Sequence, residues 1–217
     1  MSIDIVNILI VLVVILLSMT LHEAMHAFMG YFLGDDTAKA QGRLTLNPLK
    51  HIDPFMTILL PILLALTPGA PIFGGAKPVP FNPNRVRYGE WGAALVAVIG
   101  PLTNFLIAFF VFGVGVLSGI ITSEGIQANL AGQIISTAIS VNIGFFVFNM
   151  LPVPPLDGSR VLYALAPESA RRIMETIERY GVIVIFAIVL VASPIVSRVM
   201  LTCMNAIINL FMIIFSV

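Results

Sequence analysis

Apolar residues fall into six runs, near 5–21, 55–67, 92–121, 131–151, 180–193 and 199–217, separated by the polar stretches 34–54, 70–90 and 152–179 and a short connection around 123–131. A helix needs about 20 residues to cross a hydrocarbon core of roughly 30 Å, so four or five of these runs are long enough to span. The run 55–67 is not: Pro54 and Pro68 enclose about 13 residues, or about 20 Å of helix, and Pro61 interrupts them. The pattern therefore predicts an all-α polytopic membrane protein with about five to six transmembrane helices, one of them in doubt.

Charge placement sharpens that doubt. Lys39, Arg43 and Lys50 lie in the first polar stretch, Lys77, Arg85 and Arg87 in the second, and Arg160, Arg171, Arg172 and Arg179 in the last; the connection from Ser123 to Ala131 carries no Lys or Arg. The positive-inside rule puts all three basic stretches on the cytoplasmic side. The first two cannot share a side if 55–67 crosses. We expect 55–76 to enter and return as a re-entrant hairpin, which is tolerated where backbone at that depth is buried in protein or lines a wet cavity. The alternative is a distorted crossing with one basic loop outside.

Composition agrees with a lipid environment. Of 217 residues 59% are hydrophobic and 10% charged, with mean hydropathy +1.03, whereas soluble domains carry roughly a quarter charged residues. Lys plus Arg equals Asp plus Glu, 11 each, so no basic excess points to nucleic acid. The single cysteine, Cys203, has no internal disulfide partner and reads as packing. The first run lacks a basic leader and a small-residue cleavage site, so it is expected to be retained. With no repeat and no soluble segment of domain size, residues 1–217 read as one membrane-embedded domain.

Against this background, residues 22–26 read His-Glu-Ala-Met-His. On a helix, His22 and His26 stand one turn apart on one face and both imidazoles can reach one ion. Glu23 beside them is suited to take a proton from metal-bound water. The bland reading is a satisfied histidine pair at a helix interface. Its weakness is cost, since ionisable groups at membrane depth are expensive and mark function. Zinc hydrolases usually supply three protein ligands, and the candidates for the third are His51, Asp53, Glu90, Glu124, Asp157 and the acids of 168–178. Asp157 is best placed at a membrane boundary, in Asn149-Met-Leu-Pro-Val-Pro-Pro-Leu-Asp-Gly158, and its competing role is a cap for a helix starting near Ser159.

Three segments in order, the His-Glu-x-x-His helix, Gly100-Pro-Leu-Thr-Asn104 and Asn149 to Pro155-Leu-Asp-Gly158, resemble the site-2 protease family of intramembrane metalloproteases over about residues 15–165. The resemblance implies one Zn2+ per chain held by His22, His26 and Asp157, Glu23 as catalytic base, and Asn149 contacting substrate or assisting the reacting carbonyl. It also implies a transmembrane-helix protein as substrate and a multi-pass location in a prokaryotic cell membrane; the basic loops near the site point to an active site toward the cytoplasmic side. Compared with longer members, this sequence shows no PDZ-like insertion between the motifs and no nucleotide-sensing domain; the C-terminal helices fill about 166–217.

Smaller features carry their own expectations. Residues 41–47 alternate like a short strand ended by Pro48, and with Ala76 to Phe81 could form a β edge near the zinc that holds substrate extended; a plain turn is the alternative. His51 is expected either to brace the site or to sit as an ordinary interfacial histidine. Asn104, Asn142, Gly113, Gly115 and Gly119 read as packing and interhelical hydrogen bonding. The charged, periodic stretch 167–179 reads as a surface helix at the interface. Competing functions are a membrane metal-ion carrier, which would show two related halves, a non-cleaving scaffold, and a zinc protease of another family with a Glu as third ligand.

Overall fold

The computed structural model describes residues 5–65, 75–181, 183–185 and 193–217. Among them, six helices set the architecture: α1 (Ile5–Phe32), α2 (Gly89–Leu117), α3 (Leu130–Asn149), α4 (Gly158–Leu165), α5 (Glu168–Arg179) and α6 (Ser193–Phe215). Four are long and apolar enough to cross a membrane, α1, α2, α3 and Pro194–Phe215 of α6. Most of the expected span at 180–193 lies outside the described residues, so four spans stand where five to six were expected.

Lipid gives helices no hydrophobic reason to associate, so close packing must do it, and small residues permit the closest approach. Here α1 offers Ala24, Ala27 and Gly30, and α2 offers Ala93, Ala94, Ala97 and Gly100, all buried. A second core joins α2, α3 and α6 through Ala108, Phe112, Ile139, Ile143, Val147 and Phe211. Phe211 is wholly buried and its ring centroid lies 5.5, 5.3 and 5.6 Å from those of Phe105, Phe109 and Phe112. Each such pair is worth about 0.5–1.5 kcal/mol beyond burial, which seats α6 against α2. The packing role expected of two glycines is visible here: a Cβ on Gly113 would stand 2.8 Å from Phe215, and one on Gly115 2.6 Å from Ile121. Gly119 differs. It follows the Ser118 C-cap with φ +71°, so it ends α2 in the left-handed conformation that glycine allows.

Several expectations need correction. The stretch 41–47 forms no strand: Gly42 turns the chain at φ +65°, and the Thr45 hydroxyl and Asn47 carbonyl accept from the backbone N–H of Asn47 and Leu49. Such local bonds satisfy backbone donors that a ladder would otherwise use. The short β element is instead the pair Ile121–Thr122 and Gly125–Ile126, antiparallel with Ile121 opposite Ile126, at the far end of the bundle between α2 and α3. Cys203 is exposed on α6 rather than packed.

The hairpin expected at 55–76 is described at both ends, while 66–74 lies outside the described residues. A π-helical turn at Pro54–Leu59 leads into Leu60–Ala65. On the return, Gly75 N–H donates to the Met56 carbonyl at 3.0 Å, the Thr57 hydroxyl donates to the Gly75 carbonyl at 2.6 Å, and Lys77 N–H donates to the His51 carbonyl at 2.9 Å. Departing and returning strands of chain are thus bonded side by side, which places both flanking basic stretches at one end of the bundle. Since α2 runs away from that end and α3 returns to it, the 160–179 stretch joins them. There α5 packs Met174 inward, Arg160 pairs with Glu178, and Arg171 reaches the carbonyls of Tyr163 and Ala164, as expected of a surface helix.

After α1 ends, Asp35 binds the returning chain: Oδ1 accepts from the Thr37 hydroxyl and N–H at 2.5 and 3.1 Å, and Oδ2 accepts from Asn82 N–H at 2.8 Å. Burial alone would raise the pKa of this carboxyl, but the Asn82 and Thr37 donors prevail and hold it below the usual value. A carboxyl with a depressed pKa stabilises the fold above the unfolded value, and that contribution is lost as pH falls through the folded value. Asp35→Asn should therefore lower stability near neutral pH by about 1–3 kcal/mol, as expected for a broken buried hydrogen bond. In thermal unfolding of detergent-solubilised protein, the gap between wild type and Asp35→Asn should narrow as pH drops below about 4.

Candidate metal centre

The site is assembled from three places in the sequence. His22 and His26 project from one face of α1 in its second half, and both are ordered by their far ring nitrogens: His22 Nδ1 lies 2.6 Å from Asn104 Oδ1 on α2, and His26 Nδ1 lies 2.6 Å from the Val96 carbonyl on the same helix. A carbonyl oxygen only accepts, so each ring carries its proton on Nδ1. Pro101 lies within this part of α2 and removes the N–H that would bond Ala97 O, loosening the ladder next to the carbonyl that His26 uses.

The near nitrogens face each other. His22 Nε2 and His26 Nε2 are 3.0 Å apart, and Asp157 Oδ2 stands 3.2 Å from the first and 3.5 Å from the second. With both rings neutral and protonated on Nδ1, these three atoms are all acceptors turned toward one point, the donor set a cation would take up. Ligand atoms about 2.0–2.1 Å from a tetrahedral zinc are separated from one another by about 3.3 Å. Observed separations of 3.0–3.5 Å fit that figure, and nitrogen and carboxylate donors are zinc's ordinary ligands. Among the described residues this is the one cluster of three such groups with ligand atoms within 4.8 Å of one another.

Asp157 occupies the N-cap position of α4 but makes no capping bond; its backbone is helical at φ −57° and ψ −39°, and its carboxylate turns to the histidines. The capping alternative is thereby set aside. Gly158 keeps the approach tight, since a Cβ there would fall 2.3 Å from the Met150 carbonyl. Four of the other candidates for the third position are occupied elsewhere: Asp53 accepts from Phe55 and Met56 N–H, Glu168 pairs with Arg172, Glu175 accepts from the Tyr163 hydroxyl, and Glu178 pairs with Arg160. His51 is buried and donates from Nε2 to the Thr45 carbonyl at 2.9 Å, fastening the 45–51 loop.

Glu23 is buried beside the pair, and its Oε2 accepts from Val79 N–H at 2.7 Å. Segment 76–81, which forms no strand, therefore passes Glu23 at Val79, and the β edge expected there from sequence is not formed. Asn149 is not drawn into the cluster: its amide donates to the Phe145 carbonyl of its own helix at 3.0 Å. Two contributors were misread as packing or not singled out. Asn104 contacts His22, and Gly100, one turn away on the same face, is where α2 comes nearest the imidazoles; a Cβ there would lie 2.3 Å from His26 Nε2 and 2.8 Å from His22 Nε2. The i, i+4 spacing of Gly100 and Asn104 was the available signal.

A model of peptidase family M50 matches residues 10–193. The chain belongs to this family. Among curated M50 relatives, "Putative zinc metalloprotease YwhC" of Bacillus subtilis is 41% identical over 196 residues, covering 89% of this chain and 85% of that protein. "Putative zinc metalloprotease Rip2" of Mycolicibacterium smegmatis is 28% identical over 183 residues, 84% of this chain and 66% of that protein. Its Mycobacterium tuberculosis counterpart is 28% identical over 181 residues, 82% and 65% respectively. This M50 chain thus spans about two thirds of the mycobacterial relatives' length. No solved structure matches it.

The close approach at Gly100 yields a sharp expectation for this M50 chain. Gly100→Ala should displace both imidazoles and abolish metal retention, whereas Gly144→Ala, where a Cβ would meet nothing within 4 Å, should retain it. Elemental analysis of the two purified variants beside wild type makes the comparison.

Proposed function

We propose that the chain is an intramembrane zinc endopeptidase that hydrolyses a peptide bond in or near a transmembrane helix of another protein. The observation that carries this reading is the convergence of His22 Nε2, His26 Nε2 and Asp157 Oδ2 with a buried Glu23 adjoining. A zinc ion bound there supplies Lewis acidity toward the scissile carbonyl and a water molecule. Glu23 takes the proton of the attacking water and delivers it to the leaving amine. Its backbone partner Val79 orients the carboxylate without competing as a charge. Asn149, at the end of α3, assists substrate or the carbonyl oxygen after its amide leaves Phe145.

A helical peptide bond is shielded by its own ladder, so the substrate must unwind, and helices with Gly, Pro or Asn near the cleaved end are favoured. The unwound segment lies extended alongside 76–81, whose Val79 N–H bonds Glu23. The gathering of three basic stretches at one end of the bundle supports a cytoplasmic placement of that end, in a prokaryotic cell membrane.

Cleavage of a transmembrane-helix substrate by purified protein in detergent tests the proposal. Glu23→Gln should keep about one zinc per chain and lose about 10²-fold or more of the rate. Equal cutting by both proteins would remove Glu23 from the chemistry. Zinc bound with no cutting by wild type would favour an ion carrier or a scaffold.

A further inference from the structure

The orientation of His22 is decided a long way from His22. Asn142, on α3 and 1% exposed, donates from Nδ2 to the Ala138 carbonyl at 2.8 Å and to the Ser18 hydroxyl of α1 at 2.9 Å. The Ala138 carbonyl can only accept, so the Asn142 amide has one possible orientation, with Oδ1 directed away. That Oδ1 lies 2.9 Å from Asn104 Nδ2, which must therefore be the donor, and Asn104 Nδ2 also faces the Ser18 carbonyl at 3.5 Å. Asn104, wholly buried, is in turn left with Oδ1 facing His22 Nδ1 at 2.6 Å. A reversed Asn142 amide would oppose Asn104 N–H and force Asn104 to reverse in turn, and a reversed Asn104 would put N–H against His22 and move its proton to Nε2, the atom facing the metal cluster. His26 needs no such device, because a backbone carbonyl fixes it directly.

We propose that Ser18, Asn142 and Asn104 form a positioning relay, anchored on the Ala138 carbonyl, that holds His22 in the Nδ1–H tautomer and so leaves Nε2 free to ligate the metal. This rests on the metal-site reading above, yet the tautomer itself can be observed without metal or activity. None of the three touches substrate; they act through His22.

The test uses the full chain, labelled with 15N-histidine, in detergent and stripped of metal, at a pH raised until all three rings are neutral. There are three histidines, and His51 donates from Nε2 to a carbonyl, so it serves as the internal reference for the opposite tautomer. Wild type should show two Nδ1–H rings and one Nε2–H ring. Asn142→Ala frees the Asn104 amide to reverse, and should move His22 toward Nε2–H while weakening zinc retention against a chelator by about 10–100-fold, the usual effect of losing such a partner. Asn104→Asp combined with Asn142→Ala should restore both readouts, because a carboxylate presents an acceptor to His22 in either orientation. A merely structural role for Asn142 would not be rescued by placing a second unpaired group in the same core. Unchanged tautomer signals in Asn142→Ala, or no restoration in the folded double variant, would overturn the relay. If Asn142→Ala does not fold, Ser18→Ala should shift the same signals by less, and no shift would count against the proposal. Wild type with two Nδ1–H rings but no zinc uptake would uphold the relay and sink the metal-site reading instead.

Discussion

Three electron-rich atoms brought within 3.0–3.5 Å of each other inside an apolar bundle are the constraint on which the rest of this structure depends. Two neutral imidazole nitrogens and a carboxylate oxygen repel one another, and lipid surroundings screen that repulsion poorly. Such an arrangement is held by the other bonds that each group makes and is suited to a cation at its centre. Val96 O and Asn104 Oδ1 hold the rings, and the turn through Gly158 delivers the carboxylate. The α1–α2 interface is built of small residues for the same reason: any side chain at Gly100 would occupy the space that the imidazoles need.

Around this centre the polar groups are organised outward rather than clustered at random. Asn104, Asn142 and Ser18 link α1, α2 and α3 in the buried layer next to His22. The Glu23 carboxylate is linked to the chain that returns from the 55–76 excursion, and Asp35 fastens the same chain three residues further on, at Asn82. Arg43 adds a third tie, donating to the Lys77 carbonyl at 2.6 Å. The 76–81 segment contains Pro78 and Pro80 and cannot make a full ladder, so side chains from α1 and its following loop position it beside the site.

How much of this was legible beforehand varied with the range of the interaction. The His22-Glu-x-x-His26 pair is a one-turn spacing, and one-turn spacing dictates a shared face on any helix. The hairpin at 55–76 followed from length and charge parity, and its bonded ends agree with that reasoning. By contrast, 41–47 alternates in sequence but forms bends, because Thr45 and Asn47 satisfy nearby backbone donors themselves. Asn104 was read as packing since its one-turn spacing from Gly100 marks a shared helix face but not whether the amide bonds a neighbouring helix or a metal ligand.

The sequence by itself determined the membrane-spanning character, the paired histidines with their adjacent acid, and the family to which those motifs belong, because hydropathy and helical periodicity act over a few residues to a few turns. Only the tertiary structure decided that Asp157 faces the histidines instead of capping α4, that Val79 reaches Glu23, and that a backbone carbonyl at Ala138 sets a proton on His22 through two amides. Those outcomes depend on which hydrogen-bond donors meet which acceptors across separate helices, and a linear pattern contains no record of that pairing until the chain has packed.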